Sequence, residues 1–302
     1  MRFNRLDLNL LVALDALLTE QNITRAAERL NLSQSATSGI LGRLRDYFDD
    51  DLLVQVGRKM EPTLLAQQLA GPIRELILQI QSTLAITSSF DPQTAQRAFK
   101  ICASDYVSSV LLTQVVRERE QRAPNTTMEI MPQYDDIQVR LRRGEFDFVV
   151  IPQQLAVDDQ PSSVLFEESY TCVVWEGNDK VGDTLSLEQY FELGHIAPRF
   201  GASRQPTFEE WFFKQHGMKR RVEVIASSFS TMAPLLVGTS LVATMHTHLA
   251  KRSAEYLPIR LLPVPLEIPK LTECLQWPRH LENDPGHIWM RQLLQETASK
   301  LV

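Results

Sequence analysis

Between positions 33 and 59 the chain sets short hydrogen-bonding side chains among basic ones. Ser33-Gln34-Ser35, Thr37 and Ser38 come first, Arg43 and Arg45 follow, and Arg58-Lys59 closes the series. Hydroxyls and an amide at the start of a helix match the donor and acceptor pattern of base edges. Guanidinium and ammonium groups neutralise phosphate. Gln34, Ser35, Thr37 and Ser38 are therefore expected to face bases, and Arg43, Arg45, Arg58 and Lys59 to face phosphate. Ser33 is placed to cap the helix with its hydroxyl and to join the same surface.

Two short helices must position these groups. Residues 23–30 form an amphipathic segment whose Ala26-Ala27 pair permits close approach of a neighbour, and Asn31-Leu32-Ser33 breaks it. Residues 34–45 start a second helix, with Ala36, Ile40 and Leu44 on one face and Ser35, Ser38 and Arg45 on the other. A three-residue turn between short helices has helix-turn-helix proportions. Residues 49–63 then carry two short apolar pieces around Gly57-Arg58-Lys59, the pattern of a small β-wing ending at Pro62.

On these residues the chain resembles the LysR-type transcriptional regulators. The matching positions are Ala26-Ala27, Leu30, Ser33-Gln34, Ala36, Ser38, Ile40 and Leu44, then the acidic–apolar start of the wing and Pro62-Thr63. Arg45 departs from the pattern, because many members carry an acidic residue there. Residues 7–17, 208–212, 219–224 and 276–278 look particularly like the nodulation-regulator branch. The resemblance implies double-stranded DNA as partner and an effector that is aromatic or phenolic, flavonoids included. It also implies homodimers that pair into homotetramers, and RNA polymerase as a further partner of an activator.

Charge does not announce nucleic-acid binding. The formal net charge is −6, and residues 1–65 carry eight Lys/Arg against nine Asp/Glu, 8 − 9 = −1. Positive charge is local, so each head is expected to neutralise few phosphates and to act in a dimer. With 44% hydrophobic residues over 302 positions, the chain has material for more than one core. No run of about 18 apolar residues or secretory pattern is present, which predicts a cytoplasmic protein with no membrane association. Cys102, Cys172 and Cys274 lie far apart in apolar surroundings, which predicts buried reduced thiols and no metal.

Residues 65–85 repeat Leu69, Ile73, Leu76, Ile80 and Leu84 at helical spacing, a seam for a partner helix. From about residue 95, strands alternate with helices, predicting a mainly parallel α/β sheet followed by a second α/β unit. The expected fold is an N-terminal all-α winged helix-turn-helix with a long linker helix, followed by a two-lobed α/β effector domain like periplasmic binding proteins. Its boundaries are residues 1–63 for the head, 64–90 for linker and hinge, and 91–302 for the effector domain. Lobe one takes about 91–165 and 270–302, and lobe two about 166–269.

Ligands of such sheets sit beyond strand ends. Ser104, Asp105, Tyr106, Pro152, Phe200, Gly201, Ser203, Arg204, Phe229 and His246 are therefore expected in an effector site. Phe200, Phe229, Tyr106 and Met245 would be walls, while Ser203, Arg204, His246 and Asp105 would hold the polar end. Gly-rich phosphate loops, His-Glu-x-x-His and Gly-x-Ser-x-Gly are absent, so neither an enzyme nor a cofactor is expected. The reading is a ligand-responsive regulator, an activator before a repressor or a sensor of a non-aromatic metabolite. A small-molecule binding protein or an α/β enzyme stands behind it.

Overall fold

The computed structural model describes residues 7–57, 59–84, 89–199 and 207–301. Arg58, Phe200, Gly201, Ser203 and Arg204, all named above, lie outside the described residues. The chain divides into two compact units.

The first unit opens with α1 (Leu8–Glu20), α2 (Ile23–Leu30) and α3 (Gln34–Phe48). Asp7, Asn22 and Ser33 cap them, each side chain accepting a backbone amide of the first turn. Each helix ends on a left-handed residue, Gln21, Asn31 or Asp49, which returns an amide to the last carbonyls. The wing is a two-stranded antiparallel ribbon of β1 (Leu53–Val56) and β2 (Lys59–Pro62). Leu14, Leu17, Ala26, Leu41, Leu44 and Leu53 form the core beneath it.

Arg45 does not reach outward as expected. Its Nε donates to Asp51 O at 2.8 Å and its Nη2 to Leu53 O at 2.7 Å, tying the end of α3 to the start of the wing. Asp50 completes the tie by accepting from Leu52 N and from the Thr63 hydroxyl, both at 2.6 Å. These bonds hold buried Leu52 at φ +59°, a conformation a bulky side chain adopts only when its surroundings enforce it.

The long helix α4 (Leu64–Leu84) contains Pro72, which removes one intrahelical hydrogen bond. The expected seam divides along it. Ile73 is buried in the head's own core with Ala66 and Ile77, and Leu69 packs against that core. Leu76 and Leu84 are exposed, and Ile80 is half-buried. Asp15 of α1 anchors the helix by accepting from Arg74 Nη1 at 2.6 Å.

The second unit holds two five-stranded mixed sheets. The first is built from β3 (Ala98–Cys102), α5 (Asp105–Val107), which runs through a π-helical turn into α6 (Thr113–Arg122), β4 (Thr127–Met131), α7 (Ile137–Arg142), β5 (Phe148–Pro152) and β6 (Ser162–Glu168). The second follows with β7 (Tyr170–Trp175), α8 (Leu187–Glu192), β8 (Gly194–Pro198), α9 (Phe208–Gln215), β9 (Arg221–Ala226), α10 (Met232–Leu236), β10 (Val242–His246), α11 (Thr247–Ala254) and β11 (Ile259–Leu262). The chain returns to the first sheet in β12 (Leu271–Gln276) and ends in α12 (Pro285–Ala298). Strand orders are β4-β3-β5-β12-β6 and β11-β7-β10-β8-β9.

Both sheets are mixed rather than mainly parallel. β12 runs antiparallel to β5 and β6, and β7 antiparallel to β10 and β11. The cause is the crossing, because only Ser169 separates β6 from β7 and no helix can turn the chain there. β10, wholly buried in the middle of its sheet, is a continuous apolar run apart from Thr244 and His246. Edge strand β6 alternates through its first half and escaped sequence analysis, as did β11 and α8. Among the described residues no helix is long and apolar enough to cross a membrane.

The Arg45 tie is testable against its exposed neighbour Arg43. Hydrogen bonds to charged groups contribute ~1.5–3 kcal/mol each when buried; Arg45 is 39% exposed, which reduces the figure. Arg45→Ala is expected to lower head stability by about 1–2 kcal/mol in urea denaturation, and Arg43→Ala to leave the midpoint unchanged. Equal midpoints for both variants would refute the tie.

Candidate functional site

Ser33 Oγ accepts from Ala36 N at 3.2 Å, so the N-cap expected of it is formed. Gln34, Ser35, Ser38, Arg43 and Lys59 are exposed, as a surface that meets DNA requires. Thr37 is not. It is fully buried, and its hydroxyl donates to Ser33 O at 3.1 Å. The packing face of α3 runs through Thr37, Leu41 and Leu44, while Ala36 is exposed. A threonine can occupy a core position when the carbonyl four residues back takes its proton. Ile40 packs against the core as its type requires, and only Ala36, small enough for either face, suggested a different rotation.

A cavity of about 730 Å³ opens in the second unit, lined from both sheets. Of the residues proposed for an effector site, Ser104, Tyr106, Pro152, Phe229 and His246 line it. The Ser104 side chain also caps α5 by accepting from Val107 N. Asp105 has another task. Its carboxylate accepts from Phe229 N at 3.2 Å and Ser230 N at 2.7 Å, joining the start of α5 to the loop before α10. The protein's own anion thus occupies the amides that open this loop.

Aromatic packing organises one wall. The Tyr106 ring stacks on His246 with centroids 4.0 Å apart, and Phe229 meets the same imidazole edge-on at 4.6 Å. Burial pushes His246 down to about 4, so its ring is neutral. The Tyr106 hydroxyl does not point at a ligand, because it donates to Glu168 Oε2 at 2.6 Å. Glu168 is fully buried at the crossing from β6 to β7 and also accepts from the amides of Ser169 and Thr247. Burial pushes its carboxyl up, but hydrogen bonds from His248 and Tyr106 outweigh this and the net shift is downward.

His248 donates from Nδ1 to Glu168 Oε2 at 2.9 Å and from Nε2 to Leu301 O at 2.6 Å. Two acceptors require two N–H groups, so this imidazole is protonated, and the bond to Glu168 raises its pKa. The paired histidines thus serve a stack and an ion pair, and no group of three or more metal-ligating side chains gathers among the described residues. Cys102, Cys172 and Cys274 are free and buried, with burial pushing Cys102 and Cys172 up to about 12.

Several lining residues escaped sequence analysis. Tyr134 and Gln133 follow β4 and obey the strand-end rule that found the others. Phe208 and Trp211 sit on the first turn of α9, a segment that sequence analysis singled out only for its family resemblance. Tyr170, at the start of β7, and Glu273, inside β12, carried no signal, since only pairing with distant strands places them at the cavity.

Comparison with known proteins adds the family. Residues 8–67 match the model "Bacterial regulatory helix-turn-helix protein, lysR family", and residues 92–299 match the "LysR substrate binding domain". Nodulation protein D 1 of Rhizobium tropici is 43% identical over 100% of this chain and 98% of its own length. Nodulation protein D 1 of Bradyrhizobium diazoefficiens is 42% identical over 100% and 96%. A probable transcriptional regulator from Pseudomonas aeruginosa, 27% identical, superposes with a TM-score of 0.66 and 98% of each chain covered. Full-length OxyR from the same organism shares the fold, with a TM-score of 0.72, 18% identity and coverage of 97% and 94%. The chain, with its capped reading helix, its wing and its ligand-sized cavity, belongs to the LysR family of bacterial helix-turn-helix transcriptional regulators.

Proposed function

We propose that this regulator is an activator whose effector is a phenolic compound of flavonoid type, held in the 730 Å³ cavity. The wall carries this reading: Tyr106, Tyr134, Phe208, Trp211 and Phe229 surround a space in the usual size range of small-molecule sites, ~300–1,000 Å³. Flat rings stack on such walls, and the hydroxyl and amide groups between them suit phenolic oxygens. The relatives named Nodulation protein D support the same class. The head of residues 1–63 reads DNA through Gln34, Ser35 and Ser38, with Ser33 at the helix start and Arg43, Arg58 and Lys59 on phosphate. Residues 64–90 link and dimerise, residues 91–302 take the effector, and dimers pair into tetramers that meet RNA polymerase. Effector binding favours one arrangement of the second unit over another, and only such differential affinity shifts a regulator between states.

Three outcomes follow from this reading. Gln34→Ala is expected to change base preference by ~1–3 kcal/mol at one operator position. Arg43→Ala and Lys59→Ala should weaken every sequence alike, each lowering the salt slope by about one. Operator affinity untouched by all three would remove the reading surface.

Leu76→Asp and Ile80→Asp put charge on the exposed stretch of α4 and should convert dimers to folded monomers in sedimentation. Ile73→Asp, in the head's core, should instead unfold the head. A dimer that survives both Leu76→Asp and Ile80→Asp pairs through some other surface.

Phe229→Ala and Trp211→Ala are expected to weaken a hydroxyflavanone several-fold, an aromatic contact being worth ~0.5–1.5 kcal/mol beyond area burial. Operator binding without effector should not change. Titration of the full-length protein by intrinsic fluorescence checks both, and unaltered binding in the two variants would place the effector elsewhere.

A further inference from the structure

The cavity wall contains two buried carboxyl groups. Glu273 comes from β12 and Glu209 from the first turn of α9, and they are 3% and 2% exposed. Glu209 has the Arg220 guanidinium 3.9 Å away. Glu273 has no such counter-charge among the described residues, and its Oε2 makes no hydrogen bond. The other polar groups of the described wall are mostly uncharged, among them Ser104, Gln133, Gln138 and Thr207. An uncharged ring bearing hydroxyls finds partners in such a wall. A ligand carboxylate would have to lose its water in a described wall that holds no Lys or Arg, and beside Glu273 it would also meet a like charge once that acid ionises.

Given that the cavity is the effector site, we propose that it admits uncharged hydroxylated aromatics and turns away aromatic carboxylates, and that Glu273, backed by Glu209, sharpens this charge selectivity as it ionises. The titratable groups that interact with Glu273 or line the cavity with it come from five elements. Burial and then the Glu168 carboxylate of β6 push Glu273 up to about 8. Burial likewise raises Tyr106 of α5, Tyr170 of β7 and Glu209 of α9, and it lowers His246 of β10 to about 4. Glu273 is therefore neutral below about pH 8 and becomes charged above it. An anionic ligand binds the protonated form better, so its affinity falls as pH rises through that value, while an uncharged ligand lacks this penalty.

The test uses the full-length protein and two flavanones of one shape, one bearing a ring carboxamide and the other a carboxylate. Neither probe group titrates between pH 7 and pH 9. The carboxamide is expected to bind at least about tenfold more tightly at pH 7, and the carboxylate to weaken by about another tenfold by pH 9. In Glu273→Gln the carboxylate profile should flatten while the carboxamide still binds. Any slope left in that variant should vanish when Glu209→Gln is added. Equal affinity for the two probes in the wild type, a measurement needing no variant, overturns the proposal, as does a slope that persists in the double variant. Wild-type protein that binds neither probe, nor a hydroxyflavanone, brings down the effector reading and the selectivity with it. Binding both probes alike brings down the selectivity alone.

Discussion

An ionised carboxylate withdrawn from water costs several kcal/mol unless donors surround it, and Glu168 is such a group at the point where the chain leaves one sheet for the other. Tyr106 of the first sheet's helix, His248 of the second sheet's helix and the amides of Ser169 and Thr247 all converge on it. The donors come from α5, from the crossing itself and from the start of α11, so the carboxylate is satisfied only when all three are in place. The orientation of the Tyr106 ring follows from this bond, and the stack on His246 follows from the ring. The cavity wall is thus a consequence of satisfying one buried charge.

The same logic explains why Asp105 is a poor ligand group and a good structural one. A carboxylate beside two free amides is held by them, and Asp105 takes Phe229 N and Ser230 N across 124 and 125 residues of sequence. Phe229 is thereby fixed against His246 and Tyr106. The polar network and the aromatic wall form one construction. An effector entering beside them meets rings whose positions are already set, which limits the ordering entropy that binding must overcome.

The head divides its side chains between reading and scaffolding more strictly than residue type suggests. Arg45 and Thr37 belong to the types that touch DNA, yet one holds the wing and the other fills the core. Among the described residues, the exposed members of the set proposed to meet DNA are Ser33, Gln34, Ser35 and Ser38 at the start of α3, with Arg43 at its flank and Lys59 on the wing. A head so sparsely basic, in a chain of net charge −6, suits a regulator that binds in pairs.

What the sequence alone determined is local. The cap at Ser33, the Ala26-Ala27 pair, the wing around Gly57 and the apolar runs of the central strands are patterns that lie within a few residues, and their spacing could be read. The burial of Ile73 away from the exposed Leu76, the capture of Ser230 N by Asp105 and the arrival of Tyr170 and Glu273 at one cavity were settled only by tertiary structure. In each case the partner lies far along the chain, on an element whose register with its neighbours no local pattern specifies. A guanidinium, a carboxylate or an indole has the same intrinsic chemistry wherever it stands. Whether it reads, braces or binds depends on which group the fold brings within about 3 Å of it.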